Sequence, residues 1–347
     1  MLTLSKVKFE FLTVGKWLGI IFGIIISIVI LFNVFMFIKN IFVPSSASRP
    51  TLAFGRLTPI SFPNGIKKDF SYTVDTISGA LPSLPTQSKI YKMSEGEPDI
   101  LAVERTSQRA KSLGFENKPQ QLSDVLYRWN TDKPLPRNLL INIHSSEMSL
   151  SSSFINNETV ISATNLPSEE EATSISKSFL NTLALFPEDI DEALTKAKLF
   201  RIQNGAISPA TSFSTTQLVT VYFYQKNKDD ISFVYPVGGL STMSLTVASG
   251  ETNGMVVDAR FFYQKVLDES ATYPLISANE ALEKLKKGEG YVASNDGNDL
   301  SISIKKVYLA YFVEGKEQDY LMPVIVFEGK DNFFAYVSAV KDEWVGN

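Results

Sequence analysis

An uncharged run of 22 residues near the N-terminus, from Trp17 to Ile38, is the feature that most constrains this chain. Lys16 and Lys39 bound the run, and only one serine and one asparagine interrupt it. A helix that rises about 1.5 Å per residue would make this run about 33 Å long, enough to cross a hydrocarbon core of about 30 Å. The sequence therefore predicts a transmembrane helix over residues 17–39.

Three other interpretations of this run fit the sequence less well. A buried core helix would need apolar partners on every side. A cleaved signal peptide has a shorter apolar core, of about 7–15 residues, and a small-residue cleavage site that residues 43–48 match poorly. A lipoprotein would need a cysteine, and the chain has none. The run is therefore interpreted as an uncleaved signal anchor.

The charges that flank the run predict its orientation. Three lysines and one glutamate precede it, whereas Lys39 and Arg49 follow it. This small positive excess is typical of a cytoplasmic N-terminus, so we expect a single-pass protein of the cell membrane with the bilayer as the partner of residues 17–39. The expected organisation is a cytoplasmic stub (1–16), the anchor (17–39), a linker (40–50), and two extracytoplasmic subdomains (51–165 and 166–347).

Charge and cysteine content exclude several classes of function. Residues 1–49 hold five of the 33 basic residues and one of the 37 acidic residues, which leaves the remainder with a net charge of −8. Because no basic cluster stands out in that remainder, nucleic acid is not an expected partner. The absence of cysteine excludes disulfides, thiolate nucleophiles and thiolate metal ligands.

Local patterns after residue 50 predict helices that alternate with strands. Ser168-x-x-Glu171 and Ser277-x-x-Glu280 are capping boxes, which predict the start of two helices. A further helix is expected over residues 99–113. Runs typical of strands are residues 70–76, 89–93, 124–130, 139–153, 197–202, 217–225, 241–248, 255–263, 301–313, 320–328 and 333–340. The segment S-G-E-T-N-G between the runs 241–248 and 255–263 predicts a hairpin. We therefore expect an α+β fold in which the N-terminal transmembrane helix is followed by antiparallel sheets, each packed with a helix, in two subdomains.

The last part of the chain resembles a known family. The segments are S-A-N-E-A-L-E-K-L from Ser277, V-Y-L-A-Y-F at 307–312, Y-L-M-P-V-I-V-F at 320–327 and F-F-A-Y-V-S-A-V ending at Val340. They resemble the YycH/YycI group of membrane-anchored regulators and, more loosely, PepSY-type repeats. Members of the first group bind and restrain a sensor kinase, and PepSY-type units are thought to bind or inhibit peptidases. The resemblance covers about 65 residues and implies a regulatory, non-enzymatic role.

No motif assembles a catalytic, cofactor-binding or metal-binding site. His144 is the only histidine, so any Ser-His-Asp triad would have to use it, and a nucleophile elbow is missing. The S-x-x-K matches at Ser174 and Ser303 lack their companion K-T-G motif. The loop at 295–299 lacks the spacing of a calcium site and is interpreted as a turn between a helix and a strand.

Carboxylates cluster at residues 169–171 and again among residues 188–192. The first cluster suits the N-terminal end of a helix dipole, which accounts for it without catalysis. We therefore expect a non-enzymatic binding or regulatory domain whose partner is another membrane or envelope protein. The alternatives are a cell-envelope hydrolase that uses paired carboxylates and a structural envelope component. The apolar and aromatic run at 307–313 is expected to be buried on both faces, with an aromatic binding surface as the alternative.

Overall fold

Strands dominate the described part of the chain, in a computed structural model that covers residues 26–27, 29–32, 49–96, 99–163, 165–249 and 254–346. After residue 50 the helices are α1 (Ala102–Ser112), α2 (Glu158–Ile161), α3 (Glu169–Leu183) and α4 (Ala278–Lys286). The strands are β1 (Ser71–Val74), β2 (Gln87–Met93), β3 (Gln120–Gln121), β4 (Leu126–Thr131), β5 (Arg137–Asn142), β6 (Met148–Ser152), β7 (Lys196–Gln203), β8 (Ala206–Pro209), β9 (Leu218–Phe223), β10 (Phe233–Val234), β11 (Met243–Ala248), β12 (Met255–Phe261), β13 (Val266–Pro274), β14 (Tyr291–Ser294), β15 (Ser301–Phe312), β16 (Tyr320–Gly329) and β17 (Phe334–Ser338).

The middle of the chain forms a nine-stranded antiparallel sheet in the order β3-β4-β5-β6-β12-β11-β9-β7-β8. Successive residues of a strand point to opposite faces. Val219, Val221 and Phe223 of β9 therefore share one face. There they pack in one apolar core with α3, with Ala110 of α1 and with Phe115. We call this the helix face and the opposite side the open face.

The eight-stranded sheet is built around the long strand β15, which pairs with β16; the order continues through β17 to β14. One face packs against α4, through Ala281, Leu282 and Leu285. The other face is covered by the segment before β1, where Phe62 stacks on Tyr291 with ring centroids 5.2 Å apart. Both faces of this sheet are therefore apolar and covered.

Two capping boxes begin helices as predicted. The Ser168 hydroxyl accepts a hydrogen bond from the Glu171 backbone N–H (3.2 Å), and the Glu171 carboxylate accepts one from the Ser168 backbone N–H (2.9 Å). Ser277 and Glu280 repeat this arrangement at the start of α4. The predicted hairpin is also confirmed, because β11 and β12 pair antiparallel across residues 249–254. The expected burial of the 307–313 run is confirmed for Val307 and residues 310–313, with Tyr311 and Phe312 at 1% exposure or less, whereas Tyr308 and Leu309 are half-buried.

The predicted fold class is wrong. Strand makes up 38% of the described residues and helix 18%, so the fold is mostly β. Within the described ranges, no helix combines the length and the apolar character that a membrane crossing requires. Of the predicted transmembrane helix at 17–39, residues 26–27 and 29–32 are described and helical, and the rest lies outside the described residues.

The sheets also differ from the predicted arrangement of small antiparallel sheets. The subdomain boundary expected at residue 165 does not separate the two sheets. Strand β6, which precedes it, pairs with β12, which follows it, and Ser149 lies beside Arg260 in the same sheet. In the other sheet, β1 and β10 each pair parallel to β15. Such long-range pairings are decided by tertiary packing, which local patterns do not report.

Candidate functional site

A trough of about 560 Å³ lies over the open face of the nine-stranded sheet. Its floor is formed by alternate residues of three adjacent strands: Thr220 and Tyr222 of β9, Ser244 and Thr246 of β11, and Asp258 and Arg260 of β12. The two-residue period of a strand places these polar side chains on the face opposite the apolar core. The same alternation that builds the core therefore builds the floor of the trough.

A β-bulge brings Asp258 into the trough. The pairing of β11 with β12 shifts between Thr246 and Val247, so that Thr246 is opposite Asp258 whereas Val247 is opposite Val256. The extra residue, Val257, packs in a small apolar cluster with Leu218 at one end of the open face. Bulges commonly re-aim a side chain in this way. Both Val257 and its neighbour Asp258 consequently lie on the open side.

The wall of the trough is a tight turn at residues 236–240. Pro236, Val237 and Leu240 line the trough. The turn is fastened to the eight-stranded sheet, because the Tyr291 hydroxyl donates a hydrogen bond to the Pro236 carbonyl (2.6 Å). A Cβ atom at Gly238 would overlap the side chains of Ser294 and Phe334, so only glycine lets the turn lie this close to the eight-stranded sheet.

Three charged side chains of the trough make no hydrogen bond or ion pair within the described ranges: Glu147, Asp258 and Arg260. Burial raises the pKa of the Asp258 carboxyl, and the nearby Arg260 guanidinium opposes that rise. Burial also raises the pKa of Glu147, and the charge of Glu317 adds to the increase. By contrast, Thr220 and Thr246 are only 8% and 9% exposed, and their hydroxyls bond each other at 3.0 Å. The trough thus combines satisfied hydroxyls with one half-buried, unpaired carboxylate, Asp258, and two exposed charges, Glu147 and Arg260.

His144 lies in the turn between β5 and β6, beside a smaller cavity of about 220 Å³. Its backbone N–H donates to the Asn142 side chain (2.9 Å), and its ring has no hydrogen-bond partner in the described part of the chain. Ser94, Ser145 and Ser146 line the same cavity, but none of them bonds the ring. A Ser-His-Asp triad is therefore not assembled around His144.

The other side chains singled out in the sequence serve local contacts. Ser174 is exposed on α3, and Lys177 pairs with Glu192. In the second S-x-x-K match, Ser303 donates to Asp75 (2.9 Å) and Lys306 pairs with Glu328 (3.1 Å). Among the described residues, these groups do not converge on one site.

The predicted carboxylate clusters are likewise not paired across a cleft. Glu171 caps α3, and Asp189 accepts a hydrogen bond from the Gln225 amide (3.1 Å). Asn295 accepts a hydrogen bond from the Gly297 N–H in a turn that joins β14 to β15, two strands rather than the helix and strand expected. No group of three or more histidine, aspartate and glutamate side chains suited to a metal ion occurs within the ranges described.

The residues of the trough were missed by the sequence analysis. One signal was available: β12 carries Asp258 and Arg260 two residues apart in an otherwise apolar strand, which predicts a shared polar face. The bulge and the wall turn gave no comparable signal, because both depend on strands distant in the chain.

Comparisons with known proteins do not identify a family. No protein-family model and no curated protein matches the sequence. Among solved structures, an uncharacterized protein from Eubacterium rectale is similar at a TM-score of 0.37, with 13% identity, over 78% of this chain and 89% of that chain. The resemblance to the YycH/YycI group and to PepSY-type repeats, and the expected membrane location, stay predictions.

Proposed function

We propose that this protein is a non-enzymatic binding protein with a regulatory role, and that its binding site is the trough on the open face of the nine-stranded sheet. The observation that carries the proposal is Asp258, a half-buried carboxylate that lines the trough without a hydrogen-bond or ion-pair partner among the described residues. Burying a charge without a partner costs free energy. A ligand that supplies the missing partner recovers that cost.

The surroundings of Asp258 support a site for recognition. The trough is concave, and its volume of about 560 Å³ lies within the range of about 300–1,000 Å³ that is usual for ligand pockets. Its apolar wall of Pro236, Val237 and Leu240 faces a floor of hydroxyl and charged groups. Apolar walls with a few convergent polar groups are the usual composition of a binding site.

Photo-crosslinking tests the proposal. Ser149 is exposed and lines the trough, whereas Ser112 is exposed on α1, which packs on the helix face. With a photoreactive residue at position 149 of the full chain, expressed in its native cells, we expect a discrete adduct that Asp258→Asn diminishes. The same residue at position 112 should give no such adduct. Failure to form an adduct from position 149, or identical adducts from both positions, would overturn the proposal.

One observation favours a second function, a hydrolase. Glu147 and Asp258 line the same trough, and burial raises the pKa of both carboxyl groups. A raised carboxyl pKa suits a general acid, and glycosidases use two carboxyl groups that face each other across a cleft. Mass spectrometry of a bound ligand after long incubation separates the two functions. A binding protein returns the ligand intact, whereas a hydrolase returns fragments and loses this activity in Glu147→Gln.

A further inference from the structure

We infer that the trough binds a neutral, hydroxyl-rich ligand, namely a short carbohydrate chain. This inference rests on the proposed binding site and specifies its ligand class. It follows from the regular spacing of the floor, from the hydrogen-bonding groups present there, and from the ligand classes that these groups disfavour.

Strand register arranges the floor into two parallel rows. In the first row, Ser149, Arg260, Ser244 and Tyr222 are consecutive cross-strand neighbours. In the second, Asp258, Thr246 and Thr220 are neighbours in the same way. Adjacent strands are about 4.8 Å apart, so the first row extends over about 14 Å. A ligand that follows this row is elongated and longer than a single sugar ring.

The groups in these rows differ in what they offer to a ligand. A guanidinium only donates hydrogen bonds, an ionised carboxylate only accepts them, and a hydroxyl does both. Arg260, Asp258 and the accessible hydroxyls of Ser149 and Ser244 therefore favour a ligand with acceptors and donors at short intervals. Sugar hydroxyls meet this demand because each one donates and accepts.

The remaining lining suits the apolar faces of sugar rings. Tyr222 contributes an aromatic ring at the end of the first row, and Pro236, Val237 and Leu240 form the wall beside it. Aromatic side chains combine apolar contact area with a polar tip. The C–H face of a sugar ring can pack on these groups while its hydroxyls reach the floor.

Other ligand classes leave part of the trough unsatisfied. An anion would meet Arg260 but would be repelled by Glu147 and Asp258. An apolar ligand would desolvate Asp258 further and give it no partner. A peptide adding as a strand needs free backbone groups, and β9, β11 and β12 are already paired on both sides.

Titrations of the full chain test the inference. The probes are maltotriose, cellotriose and chitotriose, with a serine- and threonine-containing tripeptide and inorganic phosphate as comparators. Binding is followed by saturation-transfer NMR and by calorimetry. We expect at least one trisaccharide to bind, and Asp258→Asn to weaken this binding about tenfold or more, because a charge-assisted hydrogen bond is lost. The control Asp296→Asn, an exposed aspartate in the turn before β15, should bind like the unchanged protein.

The outcomes separate this inference from the proposed function. If no trisaccharide binds while position 149 still forms its adduct, the carbohydrate is excluded and the binding site is retained. Tripeptide or phosphate binding that Asp258→Asn abolishes, with no trisaccharide binding, has the same meaning. Trisaccharide binding that is unaffected by Asp258→Asn and by Thr246→Val would overturn the carbohydrate inference, since the sugar would then lie outside the trough, and the crosslinks from positions 149 and 112 would decide the proposed function separately.

Discussion

The two sheets of this protein differ in the face that lies opposite their packed helix. In the eight-stranded sheet, Phe312 is 1% exposed, and it packs between Phe62 and Tyr336 on the face away from α4. In the nine-stranded sheet, the corresponding face carries Thr246, Asp258 and Arg260 around a trough. The first sheet uses both faces for packing. The second packs one face throughout and the other only at the end around Leu218 and Val257, which leaves polar and charged groups available in the trough.

The difference follows from which residues occupy alternate positions of the strands. Along β11, Met243, Leu245 and Val247 fill the core while Ser244 and Thr246 face the trough. Along β16, alternate residues enter two different apolar clusters, Ile325 and Phe327 on one side and Val324 and Val326 on the other. A strand with polar residues at every second position needs only one covered face, and this makes the other face available for binding.

Truncating a side chain on the face opposite the helix should give the largest effect on stability, and this effect should differ between the two sheets. Phe312→Ala should lower the free energy of unfolding by about 3–5 kcal/mol, because it leaves a cavity among packed rings. Thr246→Val, on the second face of the other sheet, should cost only about 1 kcal/mol, since it removes one hydroxyl–hydroxyl contact. Urea unfolding of both variants measures the two values. Equal losses would remove the distinction between a packed face and an open one.

Loss of the helix caps should have an intermediate and similar effect on the two sheets. Ser168→Ala at α3 and Ser277→Ala at α4 each remove the hydroxyl that accepts from the third residue of its helix. We expect each to cost about 1 kcal/mol by urea unfolding. Ser174→Ala, an exposed serine in the middle of α3, is the control and should be neutral or slightly stabilising. A cap loss that is silent at only one helix would mean that this helix contributes little to its sheet.

Asp258→Asn should give the smallest effect on stability, and the size of this effect depends on pH. The pKa of Asp258 is raised above its ordinary value of 3.8, so the folded state holds this proton more tightly than the unfolded chain. The stability that the protonated Asp258 contributes is fully present below pH 3.8, the pKa of the unfolded chain. It is lost as pH rises through the higher pKa of the folded state. The variant should therefore be more stable than the parent at about pH 7 and equal to it at about pH 3.

Thermal unfolding at the two pH values measures this difference, with Asp296→Asn as the exposed control. A variant that is less stable than the parent at neutral pH would mean that Asp258 has a stabilising partner. In that case the trough would be a structural feature, and the contrast between the sheets would lose its functional meaning.

The features that the sequence predicted correctly are those set by neighbouring residues. Ser168 and Ser277 each bond a group three residues away, so their capping boxes are readable from a short segment. The β11–β12 hairpin is likewise local. In contrast, β13 carries Asp268-Glu269-Ser270 in its middle with a break in its register, and it shows no alternation that would reveal a strand.

The trough could not be predicted for a related reason. The alternation in β12 places Asp258 and Arg260 on one face, but an exposed sheet face is the usual location of such residues. What makes Asp258 unusual is its burial, which depends on a bulge opposite Thr246 and on the turn at residues 236–240. These depend on contacts between strands and loops that are far apart in the chain.

The anchoring of that turn has a mechanical consequence. Pro236 lines the trough, and its carbonyl accepts a hydrogen bond from the Tyr291 hydroxyl. Tyr291 belongs to β14, an edge strand of the eight-stranded sheet. If the trough binds a ligand as proposed, a shift of β14 would displace this wall and change the affinity of the trough. Energetic coupling between two positions is reciprocal, so an occupant that presses on the wall exerts the same bias on β14. Under that proposal, the trough and the β14 edge of the other sheet would be two coupled sites.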